Sequence, residues 1–279
     1  MAVRFVISLR LKQEFSIPLE AEAITPDALE GRSLSEIEQL PVLHGNLAAR
    51  VGDFFSVHGE SADGAIRVEG NLSRVKYLGK GMTRGRLEVI GDAGMHLGAE
   101  MRGGSIVVHG NTADWVGAEM RGGSILVEGS AGHLVGAAYR GSERGMRGGM
   151  ILIRGSAGNE VGCAMRRGLI AVGGNVGDFA GVMMRGGSLV VLGRLAIRAG
   201  AAMNRGTIVT YEGGAGHPPL LPTFQYDCEY RPVWLRLLLR QLREWGFEVP
   251  DPCIGASYRR YSGDFTELGK GEVLVWTSP

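Results

Sequence analysis

The stretch that decides the fold is "GAEMRGGSI", which occupies Gly98 to Ile106 and recurs letter for letter at Gly117 to Ile125, nineteen residues later. Glycines recur at this nineteen-residue spacing along much of the chain. They stand at Gly91, Gly110 and Gly129, and again, after a gap of 26, at Gly155, Gly174 and Gly193. The wider gap indicates a seven-residue insertion within "YRGSERGM", Tyr139 to Met146. A fixed period near twenty residues is typical of a solenoid, in which each repeat buries its apolar face against its neighbours.

Three apolar columns emerge when the repeats are aligned. The first alternates with period two, which is typical of a strand, and comprises Phe55/Val57, Ile66/Val68, Leu87/Val89, Ile106/Val108, Ile125/Val127, Ile151/Ile153, Ile170/Val172, Leu189/Val191 and Ile208/Thr210. The second comprises Leu78, Leu97, Val116, Val135, Val161, Ala180 and Ala199, and the third Met82, Met101, Met120, Met146, Met165, Met184 and Met203. Three inward columns predict an all-β fold, a parallel β-helix (β-solenoid) of 19-residue coils, right-handed as parallel crossovers usually are. We interpret the methionines as core residues.

Composition narrows the class of protein. The 279 residues are 44% hydrophobic, which is enough for a full core, and the formal net charge of +1 gives no whole-molecule reason to expect nucleic acid or a membrane surface as a partner. Three scattered cysteines suit neither a disulfide framework nor a CxxC metal site, so a reducing, cytoplasmic location is predicted. No run of eighteen apolar residues is present, and we expect no membrane span.

Both ends of the repeat differ from it, as capping segments do. Residues 1–50 are predicted to form an N-terminal cap, with a strand carrying Val3, Phe5, Ile7, Leu9 and Leu11 and a short helix near "SLSEIEQL". Residues 51–213 form the predicted β-helix. Residues 214–279 form a C-terminal extension with an amphipathic helix at 232–245. Its predicted apolar face is Trp234, Leu235, Leu238, Leu239, Leu242 and Trp245, opposite Arg236, Arg240 and Arg243. That face packs either on the chain's own β-helix or on a partner protein.

No catalytic motif stands in the chain: HExxH, GxSxG, Walker A and CxxC are missing, and the six histidines share no column. His109 aligns with Glu128, and His133 with Asp114 and Asn159, so we expect structural or surface roles for these histidines. We therefore predict no catalytic residue and no metal ligand here. The insertion at Arg140 to Gly145 is a candidate contact site, because loops that interrupt a solenoid protrude from it.

One polar column does persist, since an arginine follows the methionine in five successive coils. These are Arg102, Arg121, Arg147, Arg166 and Arg185, with Asn204 ending the row. If the side chains leave the molecule at one corner, neighbours 4.8 Å apart repel by about 0.9 kcal/mol in water. Such a repeated cost suggests a bound anion along the row. The alternative is structural: each guanidinium caps turn carbonyls or pairs with acids such as Glu100 and Glu119.

The repeat unit, G-x-x-G-x-x-M-R-G-G-x-I-x-V-x-G, resembles the "GXGXG" β-helix shared by the C-terminal domain of the glutamate synthase large subunit and by the C subunit of formylmethanofuran dehydrogenases. The flanks favour the second family: "IPLEAEAITPDALEGRSLSEIEQLPVLHGN" precedes the repeats and "DFFSVHG" opens them. The resemblance covers residues 1–213, and "YSGDFTELGKGEVLVW" near the end is similar too, though less specific.

This resemblance implies a scaffold whose sister chains carry the chemistry. In bacteria the related formyltransferase/hydrolase complex moves a formyl group from tetrahydromethanopterin to a methanofuran-type carrier and hydrolyses it to formate. The implied partners are the amidohydrolase-like and dehydrogenase-like subunits and the formyltransferase of the same complex. The 26 arginines against four lysines favour this bacterial complex over the archaeal redox enzyme. Metals, zinc in the first case and molybdenum or tungsten in the second, are then expected on the partner chains only.

The resemblance also gives the arginine row a candidate ligand, because these carriers have glutamate-rich, anionic tails. Two interpretations from other classes stay open. One is a glutamate synthase-like structural β-helix domain, although that family carries a glutaminase and cluster-binding cysteines in a much longer chain. The other is a stand-alone β-helix enzyme, such as a hexapeptide acyltransferase or a pectin-cleaving enzyme, against which the nineteen-residue step counts.

Overall fold

The computed structural model describes residues 7–59, 64–211 and 220–276, so Val3 and Phe5 of the predicted first strand and the boundary at 213 lie outside it. The fold is all-β with a few short helices. The strands are β1 (Ile7–Leu11), β2 (Leu19–Glu20), β3 (Pro41–His44), β4 (Leu47–Arg50), β5 (Phe55–Gly59), β6 (Ala65–Glu69), β7 (Val75–Lys76), β8 (Arg86–Ile90), β9 (Ser105–Val108), β10 (Ser124–Val127), β11 (Arg147–Ile153), β12 (Arg167–Val172), β13 (Arg185–Val191), β14 (Arg205–Thr210), β15 (Gln225–Tyr230), β16 (Tyr258–Gly263) and β17 (Lys270–Trp276). The helices are α1 (Pro26–Leu29), α2 (Leu34–Glu38), α3 (Val51–Phe54) and α4 (Val233–Glu244), followed by a 3₁₀ turn, Asp251–Cys253.

A thirteen-stranded sheet runs the length of the molecule in the order β15-β16-β17-β14-β13-β12-β11-β10-β9-β8-β6-β1-β5. From β1 through β6, β8 to β14 and on to β17 every neighbour is parallel. The register follows the repeat, since Ile106 pairs with Ile125 and Ile125 with Ile151 across the insertion. The β-branched column therefore forms the strands predicted for it, and its residues are buried.

The first pair of that column departs from the prediction. β5, with Phe55 and Val57, is antiparallel to β1, and β1 lies between β5 and β6. Ile7 and Leu9 of β1 are fully buried and occupy the position next to Ile66 and Val68 that the repeat alone would assign to β5. The N-terminal strand thus enters the sheet between two segments that are consecutive in sequence.

A second parallel ladder, which the sequence analysis did not identify, runs through isolated bridges. It links Leu72, Ala93, Thr112, Ala131, Ala157, Val176 and Leu195. The predicted leucine-valine and methionine columns are buried as well, and backbone bonds join their layers, for example from Gly117 N to the carbonyl of Leu97, 2.8 Å. All these methionines belong to one continuous core, as their predicted core role requires.

The N-terminal residues add a four-stranded sheet in the order β4-β3-β2-β7. Helix α2 lies within the segment predicted to be helical. A capping box begins it, in which Ser33 Oγ accepts a hydrogen bond from Glu36 N while the Glu36 carboxylate accepts one from Ser33 N. Its buried residue, Ile37, packs into the main core. The β3–β4 hairpin lies at the surface, with Leu43 and Leu47 exposed.

Helix α4 packs on the chain's own sheet, which settles the alternative that the sequence left open. Leu235, Leu239 and Leu242 are fully buried and cluster with the outward residues of β11 to β14 and β17: Leu152, Ala171, Val190, Val209 and Leu274. Trp234 is 39% exposed, so its assignment to the apolar face was wrong. It precedes Leu235 by one residue, which turns it about 100° away around the helix.

None of the described helices is both long and apolar enough to cross a bilayer.

Candidate anion-binding edge

The five predicted arginines form one row. Each backbone N–H donates to the methionine carbonyl of the preceding layer: Arg102 to Met82 (2.8 Å), Arg121 to Met101 (2.7 Å), Arg147 to Met120 (2.7 Å), Arg166 to Met146 (2.8 Å) and Arg185 to Met165 (2.7 Å). From Arg121 onward, each of these arginines thus bonds the methionine that precedes the row arginine of the previous repeat, whereas Arg102 bonds Met82, which is followed by Thr83. The methionine side chains are buried in the core, whereas the arginine that follows each one from Met101 to Met184 is exposed or half-buried.

Exposure varies along the row. Arg102, Arg121 and Arg185 are exposed, whereas Arg147 and Arg166 are half-buried. Burial lowers the pKa of Arg147, and the positive charges of Arg121, Arg144 and Arg166 lower it further. Nε of Arg147 and Nε of Arg166 are buried without a hydrogen-bond partner within the described residues. A buried donor left unpaired is unfavourable by about 1–3 kcal/mol, so both side chains would gain from an acceptor.

The counter-charges expected for the structural alternative are not those that the sequence suggested. Glu100 and Glu119 form no ion pair with the row within the described residues, and Glu119 instead accepts a hydrogen bond from Tyr139 N, 3.3 Å. The acid that does contact the row is Glu143 of the insertion, whose carboxylate lies 3.1 Å from Arg185 Nη2. In the part of the chain that the structure describes, Arg102, Arg121 and Arg147 have no ion pair within 4 Å.

Two further arginines widen the cationic surface. Strand register pairs Arg147 with Arg167 and Arg185 with Arg205, and both partners are exposed. Sequence reasoning missed them, although the segments "MRRG" and "MNRG" show them directly after the row positions. Glu267 receives a hydrogen bond from Asn204, 3.2 Å, at the end of the row. The arginines of this surface therefore extend from Arg102 to Arg205, at the start of β14.

The insertion is held against the molecule rather than standing away from it. The Tyr139 ring stacks on Trp115 with centroids 5.0 Å apart, and its hydroxyl lies 3.0 Å from Nδ1 of His96. His96 in turn stacks on Tyr77 at 4.5 Å. Burial, with the nearby charges of Lys76 and Lys80, lowers the pKa of His96 to about 4, so its ring is neutral at neutral pH. Arg140, Glu143 and Arg144 remain exposed for contact.

Two other histidines have structural partners. Nδ1 of His133 accepts the backbone N–H of Asn159, 2.9 Å, just as Asp114 accepts that of His133, 2.8 Å. His109 lies between two carboxylates, 3.0 Å from Glu88 and 2.9 Å from Glu128. Across residues 7–59, 64–211 and 220–276, no group of three or more histidine, cysteine or acidic side chains is arranged to hold a metal.

The arrangement suits a carboxylate-bearing ligand. Guanidinium groups bind carboxylates through paired, charge-assisted hydrogen bonds. The row presents one such group in each successive repeat. Within the described residues, the Nε–H donors of Arg147 and Arg166 have no acceptor, and the one acid that pairs with the row is the exposed Glu143, at Arg185. Arginine side chains supply neither a nucleophile nor a general base, so the row could bind or orient an anionic group but brings no acid–base or nucleophilic group of its own.

Comparisons with known proteins agree with this architecture. The GXGXG motif family matches residues 64–215, more than half of the chain. The C subunit of the molybdenum-containing formylmethanofuran dehydrogenase 1 of Methanothermobacter thermautotrophicus is 48% identical over 87 residues, 31% of this chain and 22% of that relative. The C subunit of the tungsten-containing enzyme 2 from the same organism is 42% identical over 95 residues, 33% of this chain and 35% of the relative. These matches thus span only a fifth to a third of the relatives' length.

A solved structure matches over nearly the whole length. A chain in the crystal structure of the formyltransferase/hydrolase complex (FhcABCD) from Methylorubrum extorquens, in complex with methylofuran, aligns with a TM-score of 0.87 and 34% identity. The alignment covers 96% of this chain and 98% of that one. The protein is therefore of the GXGXG class. Within that class, the chain belongs to the family of formylmethanofuran dehydrogenase C subunits.

Proposed function

We propose that this chain is the non-catalytic scaffold, the C subunit, of a cytoplasmic formyltransferase/hydrolase complex. That complex moves a formyl group from tetrahydromethanopterin to a methanofuran-type carrier and hydrolyses it to formate. The observation that carries the proposal is the near full-length match to a chain of the Methylorubrum complex, because it includes the N-terminal sheet and the C-terminal extension as well as the repeats. The partners are then the amidohydrolase-like and dehydrogenase-like subunits and the formyltransferase, which hold the catalytic groups and the zinc.

The scaffold role suits the architecture that we infer, a right-handed parallel β-helix of nineteen-residue coils. Two parallel ladders with the same step support it: the long sheet and the row of isolated bridges. Backbone bonds from Gly117 to Leu97 and from Gly136 to Val116 repeat on a further side of each layer. A rod built this way is rigid and offers long, regular faces to which several subunits dock.

Within this proposal the arginine row binds the anionic, glutamate-rich tail of the carrier. The support is local: five successive layers place an arginine at one corner, and Arg102, Arg121 and Arg147 have no ion pair within 4 Å in the described residues. A tail held along the corner would keep the carrier near the complex while its reactive end moves between sister subunits. This chain then contributes retention rather than chemistry.

The first test is purification of the tagged full-length chain from its native host, with mass spectrometry of co-eluting chains and metal analysis. A formyltransferase and an amidohydrolase-like chain with zinc would support the proposal. Absence of any stoichiometric partner would refute it. The arginine row is tested in the same preparation with Arg102→Glu and Arg121→Glu, which should reduce bound carrier while partner recovery stays constant.

A second candidate is the C subunit of a redox formylmethanofuran dehydrogenase. The higher local identity to the molybdenum enzyme's chain, 48% over 87 residues, favours it. The same purification separates the two, because molybdenum or tungsten together with iron-sulfur chains would mark the redox complex. Carrier retention by the arginine row is common to both, so its variants do not decide between them.

A further inference from the structure

The four-stranded N-terminal sheet ends in an open edge. β4 pairs with β3 on one side, and no other described strand pairs with it. Edge strands leave backbone N–H and C=O groups free, and proteins usually protect such edges with lysine, proline or a covering segment. The sequence of β4, "LAAR", contains neither lysine nor proline, and Leu47 is 70% exposed. Its one charged residue, Arg50, stands at the end of the strand, where its N–H already donates to Asp53 Oδ2 at 2.9 Å. This edge is available for pairing with another strand.

A groove adjoins the edge. It has a volume of about 520 Å³ and is lined by Glu20, Glu22, Ala23, Pro41, Val42, Leu43 and Ala48. Leu43 and Ala48 are direct cross-strand partners, so they share the outer face of the hairpin, and Leu43 is 45% exposed. A strand added beside β4 would meet Ala48 on this face and Leu47 on the other. Both faces of the added strand would thus contact apolar side chains.

The groove also carries negative charge. Glu22 is neutralised by Lys80, 2.8 Å away, but Glu20 has no ion pair within 4 Å in the described part of the chain. Glu20 pairs with Leu43 in the sheet register, which places its carboxylate beside the apolar floor. An occupant with a lysine or arginine among apolar residues would complement this wall.

We propose that β4 and the groove bind an extended segment of a sister subunit, which adds to the sheet as a fifth strand and carries alternating large apolar residues with at least one lysine or arginine. Backbone hydrogen bonds to β4 supply affinity, and the groove selects the side chains. A docked helix would leave the edge groups of β4 unpaired. That the segment comes from a sister subunit rests on the proposed function.

The occupant is identified by photo-crosslinking. A benzophenone amino acid replaces Leu47 in the full-length chain, which is expressed in its native host. A second preparation carries the same group at Leu237, a residue that is 62% exposed on α4 and serves as the control. We expect Leu47 to crosslink to a sister-subunit peptide of the stated pattern, and Leu237 not to reach that peptide. Crosslinks to a second copy of this chain, to a segment of another pattern, or to no chain would overturn the proposal.

Variants measure the contribution of each feature. Leu43→Glu combined with Ala48→Glu should weaken association of the crosslinked partner by about tenfold or more, with an unchanged circular dichroism spectrum, whereas Leu237→Glu should not. Glu20→Gln, which leaves the apolar floor intact, should give a smaller loss and a weaker salt dependence. Normal assembly of the double variant would overturn this inference alone. A wild-type chain that retains no sister subunit would overturn both this inference and the proposed function.

Discussion

The carboxylate of Glu143 lies 3.1 Å from Nη2 of Arg185, so the seven-residue insertion supplies the arginine row with an internal counter-charge. The backbone carbonyl of Glu143 also accepts a hydrogen bond from Arg166, 3.5 Å. The Glu143 side chain is 75% exposed, and ion pairs this exposed contribute only about 0–1 kcal/mol. An anionic ligand can therefore displace Glu143 at little cost.

Glu143→Gln should tighten binding of polyglutamate, because Arg185 then has no competing carboxylate. We expect an affinity gain of about two- to fivefold at low salt that shrinks at high salt. The measurement is fluorescence anisotropy with a labelled oligoglutamate peptide. Glu244→Gln on α4 is the control for the change in net charge and should leave affinity unchanged. Equal or weaker binding by Glu143→Gln would show that the insertion does not compete for the row.

Close packing between layers predicts a second effect. A Cβ added at Gly148 would lie 2.5 Å from the carbonyl oxygen of Arg121, which is backbone and cannot rotate aside. Gly148→Ala should destabilise the protein by about 3 kcal/mol, at the upper end for overpacking. Gly141 is the matched control: it has φ +85° but open space, so Gly141→Ala should cost only about 1 kcal/mol. Urea midpoints compare the two; a smaller loss at Gly148 would mean that the layers separate easily.

The apolar columns could be predicted because each one contributes an apolar residue, or a pair of them, to every repeat of the sequence. Ile106 and Ile125 reveal their pairing by standing nineteen residues apart in identical sequence. The ladder of isolated bridges from Leu72 to Leu195 could not be predicted, because alanine and threonine occupy several of its positions, as at Ala93 and Thr112. Neither residue type distinguishes a buried position from an exposed one. Periodicity thus gives a ladder only where its side chains are distinctly apolar.

Features that depend on one long-range contact could not be predicted. The position of β1 between β5 and β6 is one such feature, because the alternating sequence of β1 would suit either edge of the sheet equally well. The docking of the insertion depends on Tyr139 meeting Trp115 and His96, which belong to earlier layers. For the candidate site, the arginine spacing was visible in sequence, but its counter-ion, Glu143, lies in the segment that breaks the repeat.

Helix α4 stabilises the outer face of the sheet through its buried leucines. Leu239→Ala should lower the free energy of unfolding by about 2–5 kcal/mol, since Leu239 is fully buried. Leu237→Ala, two residues earlier and 62% exposed, should change it by no more than about 0.5 kcal/mol. Trp234 and Trp245 report the transition by fluorescence. Similar values for the two variants would mean that α4 contributes little to the stability of the sheet.

The carboxylates around His109 predict a dependence of stability on pH. Burial lowers the pKa of His109, but hydrogen bonds to Glu128 and Glu88 outweigh it and hold the pKa above its ordinary 6.5. Stability from this group is therefore fully present below pH 6.5 and is lost as the pH rises through the raised pKa. The pKa of Glu88 is shifted downward instead. Burial raises it, but His109 and Arg67 outweigh burial and hold it below 4.5, so the stability that Glu88 contributes is lost only as the pH falls through this lowered pKa.

His109→Gln should accordingly lower Tm more at about pH 6 than at about pH 8.5, because only the protonated ring pairs with both carboxylates. Thermal unfolding of wild type and variant across this range gives the difference at each pH. Glu128→Gln, which removes one carboxylate and keeps the side-chain shape, should flatten the pH dependence of the histidine effect. If the Tm difference between wild type and His109→Gln is constant with pH, or grows toward alkaline pH, His109 is not held protonated by Glu88 and Glu128.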